Sequence, residues 1–279
     1  PPLVHVSMLS IKQLRSGLSV LAAQYMITAG LFFMIPVYLQ MTLGLNALET
    51  GIKIFPLSVS LILFSVVGTR LTAIWSPRRI IRLGQLVLVV SSFVLLGSVS
   101  LELRSGLFAA GMFFAGAALG LLASQIGNVT MSSVGVERSS EIGGLQGIFQ
   151  NLGSSLGTAL IGSVLIASLS SSFLGAVDSS DLPSNVKDQV TASTQSGVNI
   201  VPVSTVNDIA TQAGLSPGDA ATLTTLYADS QVSSLRASMV ALVFISSLSL
   251  LFSKYIPTEL VRRKPTEETE TDPAPSDAS

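Results

Sequence analysis

Between Arg104 and Glu137 the chain reads SGLFAAGMFFAGAALGLLASQIGNVTMSSVGV (residues 105–136), with no Asp, Glu, Lys or Arg. A bilayer-crossing helix needs about 20 mostly apolar residues, because each advances about 1.5 Å through a hydrocarbon core of about 30 Å. The stretch exceeds that length and predicts a membrane span with room for tilt or a short loop. Five further charge-free windows accompany it: Arg15 to Glu49, Lys53 to Arg70, Arg82 to Glu102, Glu141 to Asp178 and Arg236 to Lys254. The second and last of the six are short, but Lys53 and Lys254 can draw their charges out to the interface. In the last window, about ten strongly apolar residues from Met239 to Phe252 contribute roughly −0.3 to −0.6 kcal/mol each. That outweighs Ser246, Ser247, Ser249 and Ser253. The expected fold is all-α: a polytopic membrane bundle of six transmembrane helices with a small helical external insertion.

Composition agrees. The chain is 48% hydrophobic and 11% charged, with a net charge of −1 and no cysteine, whereas a soluble domain carries about 25% charged residues. Those values exclude a conventional soluble protein, a disordered chain and a disulfide-stapled scaffold. Near-neutral charge gives no reason to expect nucleic acid as a partner; the bilayer is the expected one. Catalysis is not expected either. The chain has no metal-ligand spacing and no phosphate-cradling glycine loop, and its sole histidine, His5, precedes the first span. Neither metal nor cofactor is implied. No Asp, Glu, Lys, Arg or His lies near the middle of any span, so the usual proton-relay and ion-site groups are missing from these helices.

The few charges orient the bundle. Of 15 Lys and Arg, eleven fall on the side of both termini: Lys12, Arg15, Arg70, Arg78, Arg79, Arg82, Arg138, Lys254, Arg262, Arg263 and Lys264. The other side holds Lys53, Arg104, Lys187 and Arg236. The bias predicts a multi-pass protein of the plasma (inner) membrane with both termini of this segment cytoplasmic. Trp75 and Tyr255 fall near that interface as belt residues. No small-residue cleavage site follows a short apolar stretch, so a signal peptide is not expected.

By this reading residues 1–170 hold spans one to five and 171–235 the insertion. The sixth span is 236–257, and a disordered cytoplasmic tail occupies 258–279. The insertion turns to Ser, Thr, Asp, Gln and Asn. Helix starts are expected at Pro183-Ser184, at Ser204 or Thr205, and at Ser216-Pro217, with Gly214 as a stop. The last of these helices can run on into the sixth span; a solvated loop is the alternative for the whole insertion.

Polar residues at depth mark candidate sites, because a buried amide must face protein or a wet cavity. In the first span Gln24, Thr28 and Leu31 share a face, with Tyr25 and Phe32 on its flank; these predict a substrate-cavity wall. Gln125 and Asn128 end the fourth span, and Gln146, Gln150 and Asn151 begin the fifth. Gln125, Gln146 and Gln150 are candidates for the same cavity, with interhelical hydrogen bonding as the alternative. Glycines mark helix packing at small-xxx-small spacing: Gly116 with Gly120, Gly143 with Gly147, and Gly153 with Gly157. Pro36 and Pro56 predict bends in the first two spans.

Three stretches carry a resemblance. Leu39-Gln40 through Gly44-Leu45, then Ala47, Leu48, Gly51 and Pro56, form the first. Arg70-Leu71-Thr72-Ala73-Ile74-Trp75-Ser76-Pro77-Arg78-Arg79 is the second. Glu141-Ile142-Gly143-Gly144-Leu145-Gln146-Gly147, continuing to Asn151-Leu152-Gly153 and Gly157-Thr158-Ala159, is the third. Together, over about Ser16 to Leu169, the chain resembles the C-terminal six-helix half of a major facilitator superfamily transporter, and more narrowly its fourteen-helix drug:proton antiporter branch. The resemblance implies a preceding N-terminal half of the same transporter, which carries the coupling carboxylates. It also implies a small amphipathic substrate, protons as the coupling ion, and alternating access. It places the first and fourth spans at the central cavity and the third and sixth against lipid. In the basic loop the family usually has an acid and a glycine where this chain has Ala73 and Ser76. Arg70, Arg78 and Arg79 are therefore expected at a cytoplasmic gate or loop rather than in a charge relay. Two other readings stand beside drug export: an exporter of a lipid, envelope precursor or specific metabolite, and a non-transporting six-helix scaffold or channel.

Overall fold

The computed structural model describes residues 10–131, 139–194 and 197–252. The expected disordered tail, the belt residue Tyr255 and the basic residues Arg138, Lys254, Arg262, Arg263 and Lys264 lie outside these described residues, as does the side chain of Asn128. The described residues are helical with no strand. In chain order the helices are α1 (Lys12–Pro36), α2 (Ala47–Leu71), α3 (Pro77–Ser98), α4 (Ser105–Met131), α5 (Ser139–Asp178), α6 (Ser184–Ser193), α7 (Val203–Gln212) and α8 (Pro217–Phe252). Six of them are long and apolar enough to cross a membrane: α1 with its extension to Thr42, then α2, α3, α4, α5 and α8.

Local chemistry sets the boundaries. Pro36 has no N–H and crowds the preceding turn, and α1 widens directly after it into a π-helical segment, Val37–Thr42. There the Leu43 N–H donates to Tyr38 O at 3.2 Å, five residues back. Gly44 then takes a positive φ of 69° to turn the chain. Asn46 starts α2 with a reciprocal cap. Its side chain accepts from the Glu49 N–H while the Glu49 carboxylate accepts from the Asn46 N–H, both at 2.9 Å. Ser76 and Pro77 open α3 in the order that suits a helix start.

Around the bundle α2 packs on α4, α4 on α3, α3 on α8, α8 on α5 and α5 on α1, while α1 also touches α8 and α4. Leu31, Leu88, Leu95, Met112 and Leu242 are buried at its centre. Apolar burial alone does not hold membrane helices together, since lipid is as apolar as leucine. Close backbone approach and buried polar pairs supply the rest. A Cβ on Gly116 would strike the Leu57 carbonyl and Ser60 of α2, and one on Gly120 would meet Leu61 O. Across the bundle, Gly153 faces the Ala22 carbonyl and Gly157 the Met26 carbonyl, both of α1. Ser91 Oγ donates to Gly111 O between α3 and α4, and Gln85 Nε2 to Ser249 Oγ between α3 and α8, each at 2.9 Å. Gly143 and Gly147 differ from these: among the described residues, a Cβ at either would meet nothing within 4 Å. Both lie on the outer side of α5, so small-xxx-small spacing identified a narrow face without identifying what it faces.

At 40 and 36 residues, α5 and α8 extend about 60 and 54 Å at 1.5 Å per residue, well beyond a core of about 30 Å. Their projecting ends pack on one another, and residues 179–216 lie between the two long helices. The reason is a continued apolar stripe: Leu169, Phe173 and Val177 of α5 meet Ala220, Leu223 and Tyr227 of α8 in a second core. Helices α6 and α7 complete this cap with Val186 and Ala210. After α7, Gly214 at φ 83° ends the helix, and the Leu215 N–H returns to Ala210 O at 3.2 Å.

Candidate functional site

The first-span quartet is divided by the structure. Gln24 lies on the buried side of α1 with Leu31, and its Oε1 has no hydrogen-bond partner among the described residues. Thr28 turns its hydroxyl back to Gln24 O at 2.8 Å. Phe32 is 47% exposed and Tyr25 half-buried, about a quarter turn around the helix from Gln24. Thus the face read as one polar wall is two: a core-facing Gln24 and an outward stripe of Tyr25, Phe32, Pro36 and Gln40 at helical spacing.

The second amide group is divided too. Gln125 is completely buried, and its Nε2 donates to Gly68 O at 3.0 Å. Gly68 lies in the last turn of α2, whose carbonyls lack intrahelical donors, so Gln125 caps α2 from α4 and does not reach an open cavity. Replacing it with leucine leaves that buried carbonyl unmet; the expected cost is about 1–3 kcal/mol, read as a lower unfolding temperature in detergent. Gln146 Nε2 donates to Thr130 Oγ1 and ties α5 to α4. Gln150 is half-buried. Beside these, α5 presents an outward groove lined by Gly144, Gly147, Ile148, Asn151, Leu152 and Ser155. Asn151 returns its Nδ2 to Gly147 O at 2.9 Å and is exposed.

Arg70 and Arg79 are exposed and Arg78 half-buried at the α2–α3 connection. Arg70 suits the negative end of α2. Arg78 and Arg79 sit in the first turn of α3, against its dipole, so helix stability does not explain them.

The opposite end of the bundle holds a polar belt that sequence reasoning passed over. The Tyr38 hydroxyl donates to Ser100 O at 2.8 Å and accepts from the Ser100 N–H at 3.2 Å. Arg236 donates from Nε and Nη2 to Val99 O at 3.1 and 2.9 Å. Val99 is the C-cap of α3, so a cation and a phenol together close a helix C-terminus. One turn outward, Gln231 is 3% exposed. It accepts from Thr42 Oγ1 at 2.9 Å and donates to Val201 O at 2.9 Å and to the Tyr227 hydroxyl at 3.2 Å. Tyr227 in turn donates to Asn199 O at 2.8 Å and accepts from the Val201 N–H at 2.9 Å. An extended strap, residues 198–202, is thereby fastened to α8 and through Gln231 to the π-helical segment. The isolated Arg236 was the one sequence signal; its acceptor is a backbone carbonyl, which no motif encodes.

Among the described residues no cluster of His, Cys, Asp or Glu could hold a metal ion. A family model for the Major Facilitator Superfamily matches residues 2–158. The chain is 33% identical over 171 residues to the tetracenomycin C resistance and export protein of Streptomyces glaucescens, covering 60% of this chain and 31% of that protein. It is 31% identical over 128 residues to the multidrug efflux pump SdrM of Staphylococcus aureus (strain N315), covering 46% of this chain and 28% of that protein. The matched stretches therefore span less than a third of either relative's length.

Proposed function

This chain belongs to the Major Facilitator Superfamily, and from that premise we propose that it is the C-terminal six-helix half of a fourteen-helix drug:proton antiporter. The intact protein exports drugs or other amphipathic compounds across the plasma membrane by alternating access, one half rocking against the other. Both termini of this segment are cytoplasmic, and the coupling protons are handled by carboxylates of the preceding half.

The observation that carries this reading is the outward side of α5. Inside a span, Asn151, Ser155 and Thr158 are exposed beside Gly143 and Gly144. Lipid offers such groups no hydrogen bonds, whereas a second helical half would cover them and use the narrow surface for close approach. Tyr25, Thr28 and Phe32 then border the cavity between the halves, with Gln24, Gln146 and Gln150 behind them. An aromatic and amide wall without fixed charge suits varied apolar cargo. Gln125 supports that wall from α4 as an α2 cap. Arg70, Arg78 and Arg79 belong to the cytoplasmic gate, where their charges meet headgroups or the other half. The two relatives' names speak of export and efflux, which favours the same direction of transport here.

The test is expression of the full-length gene in a pump-deficient strain. The expected result is raised resistance and faster dye efflux that collapses with a protonophore; unchanged efflux across a broad panel removes the drug reading. The cap, with its own core, favours a second reading in which the cargo is a lipid, envelope precursor or specific metabolite. Replacing residues 179–216 with a short flexible linker decides it in the same assay, since intact transport excludes a cargo role for the cap.

A further inference from the structure

The projecting ends of α5 and α8, with α6, α7 and the strap, line an open-sided cavity of ≈270 Å³ that the drug-export reading does not use. Phe173, Val190, Val198, Val206, Leu223 and Tyr227 are among its apolar lining, and no charged residue lines it among the described residues. Four of its polar side chains are already engaged inside the cap, while the side chain of Asn199 is exposed. Ser193 Oγ donates to Gln189 O, Thr194 Oγ1 to Val190 O, Gln189 Nε2 to Ala213 O and the Tyr227 hydroxyl to Asn199 O. A charged ligand entering here would lose hydration and meet no counter-charge among the described residues. An apolar molecule loses nothing. An apolar cavity of roughly 150 Å³ lined by aliphatic and aromatic side chains is enough to hold benzene, and this one is larger. Phe173 and Tyr227 pack edge to face at 5.5 Å and form a rigid aromatic corner.

We propose that the cap cavity is a binding site for a compact, uncharged, largely apolar molecule of one or two rings, separate from the face shared by α1 and α5. Selectivity against charge comes from the lining, and affinity comes from the apolar walls. The site does not depend on which compound is exported or on whether protons drive export.

The chain has no cysteine, so one introduced thiol reports on one position. In full-length protein on a cysteine-free background, in nanodiscs, Val190→Cys and Val206→Cys place a thiol at the cavity. Asp188→Cys, exposed on the same helix as Val190, is the control. The readout is the rate of reaction with N-ethylmaleimide. With 1-naphthol at roughly ten times its dissociation constant, the two cavity thiols should react about tenfold more slowly. The control should be unchanged, and 1-naphthoate, of similar shape but charged, should protect neither. Ala210→Phe, which fills the cavity from α7, should abolish the protection. Should that variant fail to fold, the naphthol–naphthoate comparison stands without it. Equal protection at the control, equal protection by naphthoate, or none at either cavity thiol overturns the proposal. No transport is needed for this measurement, so loss of the export reading leaves its outcome readable.

Discussion

Gly116→Ala and Gly157→Ala should each destabilise the bundle by about 1–3 kcal/mol, the cost of forcing a methyl group into a filled contact. At Gly116 the new Cβ meets the Leu57 carbonyl, and at Gly157 the Met26 carbonyl. These are backbone atoms, so no side-chain rotation relieves the overlap and the helices must separate. Separation weakens dispersion contacts along the whole seam. The contrast is with Gly144→Ala and Gly147→Ala, where nothing among the described residues lies within 4 Å. There the helix gains roughly 0.5–1 kcal/mol from lost chain freedom in the unfolded state, and the fold is unharmed or firmer. Thermal unfolding in detergent should therefore rank the inner pair well below the outer pair. On the proposal that the other half docks at the outer face, dye efflux by the intact transporter should fall in both pairs. Full efflux with Gly144→Ala and Gly147→Ala would remove that docking role while leaving the stability ranking untouched.

Gln231→Leu should loosen the cap from the bundle at a cost of about 1–3 kcal/mol. The substitution keeps volume but leaves Val201 O and Thr42 Oγ1 without their buried partner. The strap is then held by Tyr227 and by the Val198 N–H, which donates to Ser170 Oγ at 3.1 Å, and the hydrogen bond from α8 to the π-helical segment is gone. Hydrogen exchange is the suitable measurement, since it resolves local opening from global unfolding. Faster exchange at residues 198–201, with α3 and α4 unchanged, is the expected pattern. A uniform loss of protection would show that Gln231 supports the whole bundle instead.

The spans were legible because the bilayer imposes one rule on every residue: charge is expelled from the hydrocarbon core. The windows from Arg15 to Glu49 and from Glu141 to Asp178 could be read as helices without knowing any neighbour. The helix starts near Pro183 and Ser216, and the stop at Gly214, were legible for a similar reason, since turn and cap chemistry is local. The candidate site was less so. Periodicity placed Gln24 and Phe32 near one face, but it could not say that Gln24 turns to the core while Phe32 turns outward.

What the sequence by itself determined is the class of molecule: six membrane-crossing helices, their bounding charges, and narrow glycine faces. What only the tertiary structure decided is the use of each polar group. Gln125 caps α2 across a gap of 57 residues, Gln231 reaches Thr42 across 189, and Arg236 finds Val99 O across 137. Hydropathy is a property of each residue summed along the chain, whereas a hydrogen bond needs two groups within about 3 Å of one another, and only packing brings such distant residues together.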